Sequence, residues 1–179
     1  MIETTYFTFT CPFLYPTART VSNLESQKDR FKKLAFIVGE WDGKGEGFDT
    51  GKESDITNRM TLAYDPSPGV ITGRFEARRS GKLENQGMMI FLYDPVINKF
   101  IRKTVYSYGF LMNEVGELKD DRFVFDCVGI DAEPDYWKGL RIRTYIEKHS
   151  DDDFSTGLET ASKGEEFKLY GQNRFHRRI

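Results

Sequence analysis

The sequence predicts an all-β protein, an antiparallel up-and-down β-barrel of about ten strands that follows one short N-terminal α-helix. Three observations support this prediction. The aromatic content is 15%, a composition that suits strands better than helical bundles. Strand-like segments follow one another with turn residues between them, and no second helical pattern interrupts them, which argues against parallel βαβ units. Closing such a meander into a barrel removes its exposed edges.

Residues 1–21 are predicted to be an aromatic extension, and residues 22–179 a single domain. Pro12 and Pro16 interrupt any regular element in the extension. Its large apolar side chains are too many for a solvated tail, so we expect them to pack across an opening of the barrel or against a second subunit. They are Tyr6, Phe7, Phe9, Phe13, Leu14 and Tyr15.

One helix is predicted over about residues 23–36. Ser22 and Glu25 have the spacing of a capping box, in which the serine hydroxyl serves the amide of Glu25 and the glutamate reaches back. An apolar face then recurs at helical spacing and predicts the side that docks on the body of the protein. The residues of this face are Leu24, Phe31, Leu34 and Ala35.

Ten strands are predicted after the helix, separated by turn residues such as Asp65-Pro66, Ser80-Gly81 and Asp94-Pro95. Their predicted spans are 39–49, 53–64, 69–79, 83–93, 99–107, 110–118, 122–129, 138–148, 153–161 and 166–177.

The first strand has two very different faces. Charged residues alternate with Trp41 and the glycines Gly43, Gly45 and Gly47. A run of glycines on one face needs a reason, such as bending at a barrel corner or the close approach of a ligand or another backbone. Trp41 is therefore the strongest single candidate for a ligand contact, because the glycines leave space that something else must fill. Packing of the helix is the alternative.

The stretch Leu34-Ala35-Phe36-Ile37-Val38-Gly39-Glu40-Trp41-Asp42-Gly43-Lys44-Gly45 resembles the opening of a bacterial family of lipocalin-like (calycin) proteins, known only as a domain of unknown function. It also resembles the opening of the haem-binding nitrobindins. The Gly-x-Trp motif recurs at the first strand across the wider calycin group. The resemblance covers about residues 24–178 and implies a lipocalin-like barrel with an internal cavity and no assigned chemistry.

Similarity to nitrobindins would imply haem held by a histidine on the last strand, followed by an aromatic and two basic residues. Matching Phe175 and the basic residues of this chain puts Tyr170 at or near the ligand position, whereas His176 falls among the basic positions. Tyrosine ligates ferric haem in other proteins. The missing histidine nevertheless disfavours haem, and we expect no cofactor.

An Arg-x-Tyr pair, Arg143 and Tyr145, shares one face of the predicted strand at 138–148. Such a pair can hold a ligand carboxylate, because the guanidinium and the phenol converge on two oxygens. The fatty-acid-binding barrels, which this fold resembles, use such a pair. The alternative is that the opposite, apolar face lies inside the barrel and that the arginine is solvated, and the ordinary apolar character of buried faces favours it.

The other candidates lie on strands in which polar and apolar residues alternate. Arg74 and Arg102 are kept because barrel interiors are often partly polar, and Met89 and Tyr106 belong to a group of soft and aromatic side chains suited to an apolar cavity. For most of that group, ordinary core packing is the favoured alternative. The complete set of candidate ligand-binding residues is Trp41, Arg74, Met89, Arg102, Tyr106, Arg143, Tyr145 and Tyr170.

Several functional classes are excluded by the composition. The net charge is −2, so there is no global field to attract nucleic acid or acidic lipid. Cys11 and Cys127 match neither a disulfide framework nor a zinc site, and no nucleophile or phosphate-binding motif occurs. Neither a signal peptide nor a membrane-spanning run is expected, so the predicted location is the cytoplasm.

Binding of a small hydrophobic or amphipathic molecule in the barrel cavity is the function that the sequence favours. Three alternatives stay open: an isomerase- or hydratase-type enzyme acting in the same cavity, a haem-binding nitrobindin-like protein, and a dimeric scaffold with a filled barrel. Binding is favoured over catalysis, and a homodimer is the expected assembly.

Overall fold

The computed structural model describes residues 29–46, 53–66 and 69–179. The strands of this part of the chain are β1 (Gly39–Glu46), β2 (Glu53–Asp65), β3 (Val70–Arg79), β4 (Lys82–Asp94), β5 (Lys99–Tyr106), β6 (Leu111–Lys119), β7 (Arg122–Asp131), β8 (Arg141–Ser150), β9 (Asp153–Ala161) and β10 (Lys168–Arg177). Each strand pairs antiparallel with the next, and β1 pairs with β10 to close the barrel. The predicted fold class is confirmed.

The observed strands follow the predicted spans closely, with one clear difference. β8 begins at Arg141, whereas the sequence pattern predicted residue 138. A 3₁₀ turn over Asp135–Trp137 precedes it, and Gly139 has a φ of +77°. A positive φ directs the chain away from an extended path, so the strand starts only after this glycine.

In the segment before β1, the predicted helix ends earlier than residue 36. Residues 29–32 are α-helical, and after a turn the chain forms a 3₁₀ turn over Ala35–Ile37. The earlier residues of the predicted helix lie outside the described residues. Phe31, Leu34 and Ile37 are three residues apart, and this spacing suits a 3₁₀ turn, in which residues i and i+3 lie above one another.

These three side chains close one end of the barrel together with Trp41. All four are buried, with exposed fractions of 2% or less. They belong to one core cluster with rings from strands on every side, among which Phe100 and Phe154 approach Phe31 and Trp41 edge to face. Of the apolar face predicted for the helix, Phe31 and Leu34 therefore pack into the barrel end, whereas Ala35 is exposed and Leu24 lies outside the described residues.

The glycines of β1 lie where a neighbouring ring needs room. Gly43 pairs with Phe175 of β10, and a Cβ on this glycine would lie 2.6 Å from the Phe175 ring. Trp41, Gly43 and Gly45 alternate with charged residues, as predicted, and their side of β1 is buried. The space left by Gly43 is thus filled by the phenylalanine ring of the last strand.

The predicted aromatic extension, residues 1–21, lies outside the described residues. In the part of the chain that the structure covers, no helix has the length and apolar character needed to cross a membrane.

Candidate functional site

A cavity of about 500 Å³ lies inside the barrel, and Ile37 of the 3₁₀ turn lines it at the closed end. Four of its lining residues are exposed at the opposite end and mark its mouth. These residues are Arg79, Glu84, Tyr108 and Tyr170. The barrel is therefore packed at one end and hollow toward the other.

Rings and a thioether form the apolar wall of the cavity. The Phe75 and Tyr106 rings lie 5.5 Å apart, and the Tyr106 ring stacks on Phe110 at 4.4 Å. Gly87 lies between Phe75 and Tyr106 in the sheet register, and a Cβ there would lie 2.5 Å from the Phe75 ring. Met89, two residues along the same face of β4, also lines the cavity.

A buried polar cluster of Arg102, Glu114 and Thr144 interrupts this apolar surface. Arg102 and Glu114 are register partners on β5 and β6, so their side chains project side by side from the same face. Arg102 donates from Nε and Nη2 to the two carboxylate oxygens of Glu114, each at 2.6 Å. Thr144 of β8 donates from Oγ1 to Glu114 at 2.6 Å and accepts a hydrogen bond from Nη2 of Arg102.

The residues of the cluster differ in burial and in their position relative to the cavity. The Glu114 side chain has no exposed surface, and the Arg102 side chain retains 10%. Arg102 and Thr144 line the cavity, whereas Glu114 lies behind them. Burial alone would lower the pKa of Arg102, but the Glu114 carboxylate outweighs it, so the pKa stays above its ordinary value and the guanidinium is charged.

Aromatic rings enclose the same guanidinium. Its central carbon lies 4.8 Å from the centroid of Phe125 and 5.9 Å from that of Phe91. Cation–π contacts of this kind compensate part of the cost of removing an arginine from water. A bidentate ion pair with a third hydrogen-bonding partner and ring contacts is the arrangement that a buried charge pair requires.

A second polar pair, Asn58 and Asn173, lies on the cavity wall. Nδ2 of Asn58 donates to Oδ1 of Asn173 at 2.8 Å. The two residues are on β2 and β10, with β1 between them, and their register partners on β1 are Gly43 and Gly45. Because these glycines have no side chains, the two amides meet across β1. The glycine run thus also allows this hydrogen bond to form inside the barrel.

Five of the eight candidate residues line the cavity: Met89, Arg102, Tyr106, Tyr145 and Tyr170. Tyr170 is 41% exposed at the mouth. Tyr145 is buried, but its side chain lies on the opposite face of β8 from Thr144, where the Arg122 guanidinium covers its ring at 4.4 Å from the centroid. Its hydroxyl donates to Gln172 at 3.3 Å.

The other three candidates lie elsewhere. Trp41 is buried at the closed end and is not among the cavity-lining residues. Arg74 is exposed on the outer surface, where it pairs in register with Met88. Arg143 donates from Nε to Asp126 at 2.8 Å and lies 4.0 Å from the Phe167 ring centroid. Arg143 and Tyr145 therefore do not converge on one ligand.

Glu114, Thr144 and the asparagine pair were not among the residues predicted from the sequence. A signal for Glu114 existed, because it lies on the same face of β6 as Met112 and Gly116. Asn58 and Asn173 are separated by 115 positions, and only the register of the closed barrel brings them together.

Among the described residues, no group of three or more His, Cys, Asp or Glu side chains has the proximity to hold a metal ion. Cys127 is half-buried, and burial raises the pKa of its thiol. Cys11 lies outside the described residues.

Known protein structures share this barrel at low sequence identity. Rv2717c from M. tuberculosis aligns with a TM-score of 0.62 and 17% identity over 83% of this chain and 97% of that protein. The S-type phycobiliprotein lyase CPES from Guillardia theta aligns with a TM-score of 0.53 and 11% identity over 92% of this chain and 99% of the lyase. No protein-family model and no curated protein sequence matches the chain. These alignments show that the chain has the fold of a lipocalin-like β-barrel.

Proposed function

We propose that the protein binds a small, largely hydrophobic molecule in the barrel cavity. The observation that carries this proposal is the cavity of about 500 Å³ with an open mouth. Its size lies within the usual range of ligand pockets, and mostly apolar walls with a few polar groups are typical of such sites. The core at the closed end stabilises the barrel without filling this space.

The experiment uses two neighbouring methionines that face opposite sides of β4. Met89 lines the cavity, and Met88 is 53% exposed on the outer surface. We expect Met89→Trp to reduce binding of the neutral dye N-phenyl-1-naphthylamine at least tenfold in a fluorescence titration, because the indole occupies the ligand's space. Met88→Trp adds the same side chain outside the barrel and is expected to bind the dye like the unmodified protein.

Thermal unfolding of both variants is measured alongside, since overpacking a core commonly costs about 1–3 kcal/mol. A folded Met89→Trp protein that binds the dye with unchanged affinity would place the dye outside the cavity. Native mass spectrometry of gently purified protein gives an independent result, because it detects a retained ligand together with the oligomeric state.

We also propose that the protein works without haem. Tyr170, the residue matched to the nitrobindin ligand position, is at the mouth of the cavity and 41% exposed. His176 is on the outside of the barrel, 3.6 Å from the Asp153 carboxylate. Haem addition is expected to give no stoichiometric Soret band. A band that Tyr170→Phe abolishes and Tyr108→Phe preserves would show haem ligation by Tyr170.

Three narrower proposals rest on the sequence. They are membership of the bacterial family of unknown function that the stretch around Trp41 resembles, a cytoplasmic location, and a homodimeric assembly. Enzymatic isomerisation or hydration in the same cavity is the alternative to simple binding. Turnover that depends on Tyr106, which lines the cavity, would favour the enzyme.

A further inference from the structure

Within the cavity, the polar cluster of Arg102, Glu114 and Thr144 has one face toward the ligand space and one away from it. Nε and Nη2 of Arg102 are taken by Glu114 and Thr144. No acceptor among the described residues takes a hydrogen bond from its Nη1. Arg102 lines the cavity, so this nitrogen is the unused donor of a group that the ligand meets.

The charge of this donor is already balanced. Glu114 lies immediately behind Arg102 with a fully buried side chain, and both of its oxygens accept hydrogen bonds from the guanidinium. A second carboxylate brought to Nη1 would lie close to Glu114 in a site of low dielectric, where like charges repel strongly. An uncharged acceptor avoids this repulsion and still receives a charge-assisted hydrogen bond.

We infer that the cavity selects uncharged, largely apolar molecules with a carbonyl oxygen, which accepts a hydrogen bond from Nη1 of Arg102, and that Glu114 discriminates against carboxylates. This inference rests on the proposed function and specifies its ligand class. Phe91, which contacts the guanidinium, and Tyr106 and Phe110 line the cavity and provide the apolar surroundings for the rest of the molecule.

Three naphthalenes of nearly equal shape test the ligand class by isothermal titration calorimetry on the full chain at pH 7. They are 2-acetylnaphthalene, 2-naphthoate and 2-ethylnaphthalene, which offer a ketone, a carboxylate and no acceptor. We expect the ketone to bind about tenfold more tightly than the hydrocarbon, which is the scale of one hydrogen bond to a charged group. Naphthoate is expected to bind more weakly than the ketone by a similar factor.

Glu114→Gln removes the balancing charge while keeping the side-chain shape. We expect naphthoate to gain about tenfold in affinity in this variant and to overtake the ketone, because Arg102 is then an unpaired cation. Glu117→Gln is the matched control. Glu117 is on the same strand but pairs with Lys99 and Lys119, and its removal is expected to leave the order of the three affinities unchanged.

The carbonyl stretching frequency of bound 2-acetylnaphthalene gives a result that needs no variant. We expect infrared difference spectra to show a lower frequency than for the same ketone in hexane, because the guanidinium hydrogen bond weakens the C=O bond. If Glu114→Gln fails to fold, this shift and the affinity order of the unmodified protein decide the question.

The outcomes separate the two proposals. Equal affinity for all three compounds with an unshifted carbonyl frequency, or tightest binding of naphthoate to the unmodified protein, overturns the inference and leaves cavity binding in place. Failure of all three compounds to bind overturns both the inference and the proposed function.

Discussion

Trp41 joins the first strand to the rest of the barrel through three different contacts. Its Nε1 donates to the carbonyl of Ile37 at 2.8 Å, and its ring meets Phe154 edge to face at 4.6 Å. The Arg177 guanidinium lies 4.3 Å from the indole centroid. With no exposed surface, the side chain ties the 3₁₀ turn, β9 and β10 together at the closed end. Its role in the described structure is therefore packing of the barrel end.

We predict that Trp41→Ala lowers the free energy of unfolding by about 3–5 kcal/mol, the range for large aromatic truncations in cores. The loss combines the buried ring surface with an unpaired carbonyl at Ile37. Urea denaturation followed by circular dichroism measures it. Trp41→Phe is the matched control, since it keeps an aromatic ring and should lose less. Unfolding of Trp41→Ala at the urea concentration of the unmodified protein would contradict the packing role.

At the scale of elements, the strands could be predicted because their signals are local. Turn residues such as Ser80-Gly81 mark the hairpin ends, and alternation gives each strand two faces. The start of β8 was missed because Gly139 adopts a positive φ that the strand-like residues around it do not announce. The helix was predicted to continue to about residue 36, but it ends at residue 32 and a 3₁₀ turn follows, because a three-residue apolar spacing fits both a helix and a 3₁₀ turn.

The cavity could be predicted only in part, because its residues come from different strands. Met89, Arg102 and Tyr106 were found from their types and their alternation. Glu114 was overlooked since a glutamate on a strand is usually solvated, and its burial depends on pairing with Arg102 in the barrel register. Arg74 has the same local pattern as Arg102 but lies on the outer face. Local alternation does not tell which face is inside when both faces carry polar residues.

The pairing of β9 with β10 includes an ion pair that makes a pH-dependent contribution. Asp153 accepts hydrogen bonds from Nε and Nη2 of Arg174 at 3.1 and 2.5 Å. The hydrogen bond from Arg174 lowers the pKa of Asp153 below its ordinary value of 3.8. A carboxyl with a lowered pKa in the folded state stabilises the protein fully above its unfolded pKa, and this contribution is lost as the pH falls through the folded value.

We predict that Asp153→Asn lowers the free energy of unfolding by about 1 kcal/mol at pH 6, as for a largely surface ion pair. The difference from the unmodified protein should shrink at pH 3, because the unmodified carboxylate is then partly protonated as well. Urea denaturation at both pH values measures it. Asp135→Asn is the control, because Asp135 is 92% exposed and its ion pair within the described residues is with Lys138, three residues away. A difference in the free energy of unfolding that grows on acidification would contradict the predicted direction of the pH dependence.

At the scale of the whole molecule, the packed core and the cavity lie at opposite ends of the barrel. The helical end contains the packed core around Phe31, Leu34 and Trp41, and closure of the sheet between β1 and β10 removes exposed strand edges. The other end contains the cavity and its polar cluster. Because Arg102 and Glu114 are bound to each other and to Thr144, the cavity has a polar group without an uncompensated buried charge.

Residues 1–20 are expected to take part in the assembly. Six large apolar side chains within ten positions of this segment would form an exposed patch of the kind that soluble monomers avoid. We therefore expect deletion of residues 1–20 to lower the melting temperature and to shift the mass measured by light scattering from dimer to monomer. A full-length chain with Phe7, Phe9 and Phe13 replaced by Ser keeps the length of the segment but removes three of its apolar side chains. It should behave like the deletion if these side chains are what matters. A deleted chain that keeps both its mass and its melting temperature would show that the segment contributes neither to assembly nor to stability.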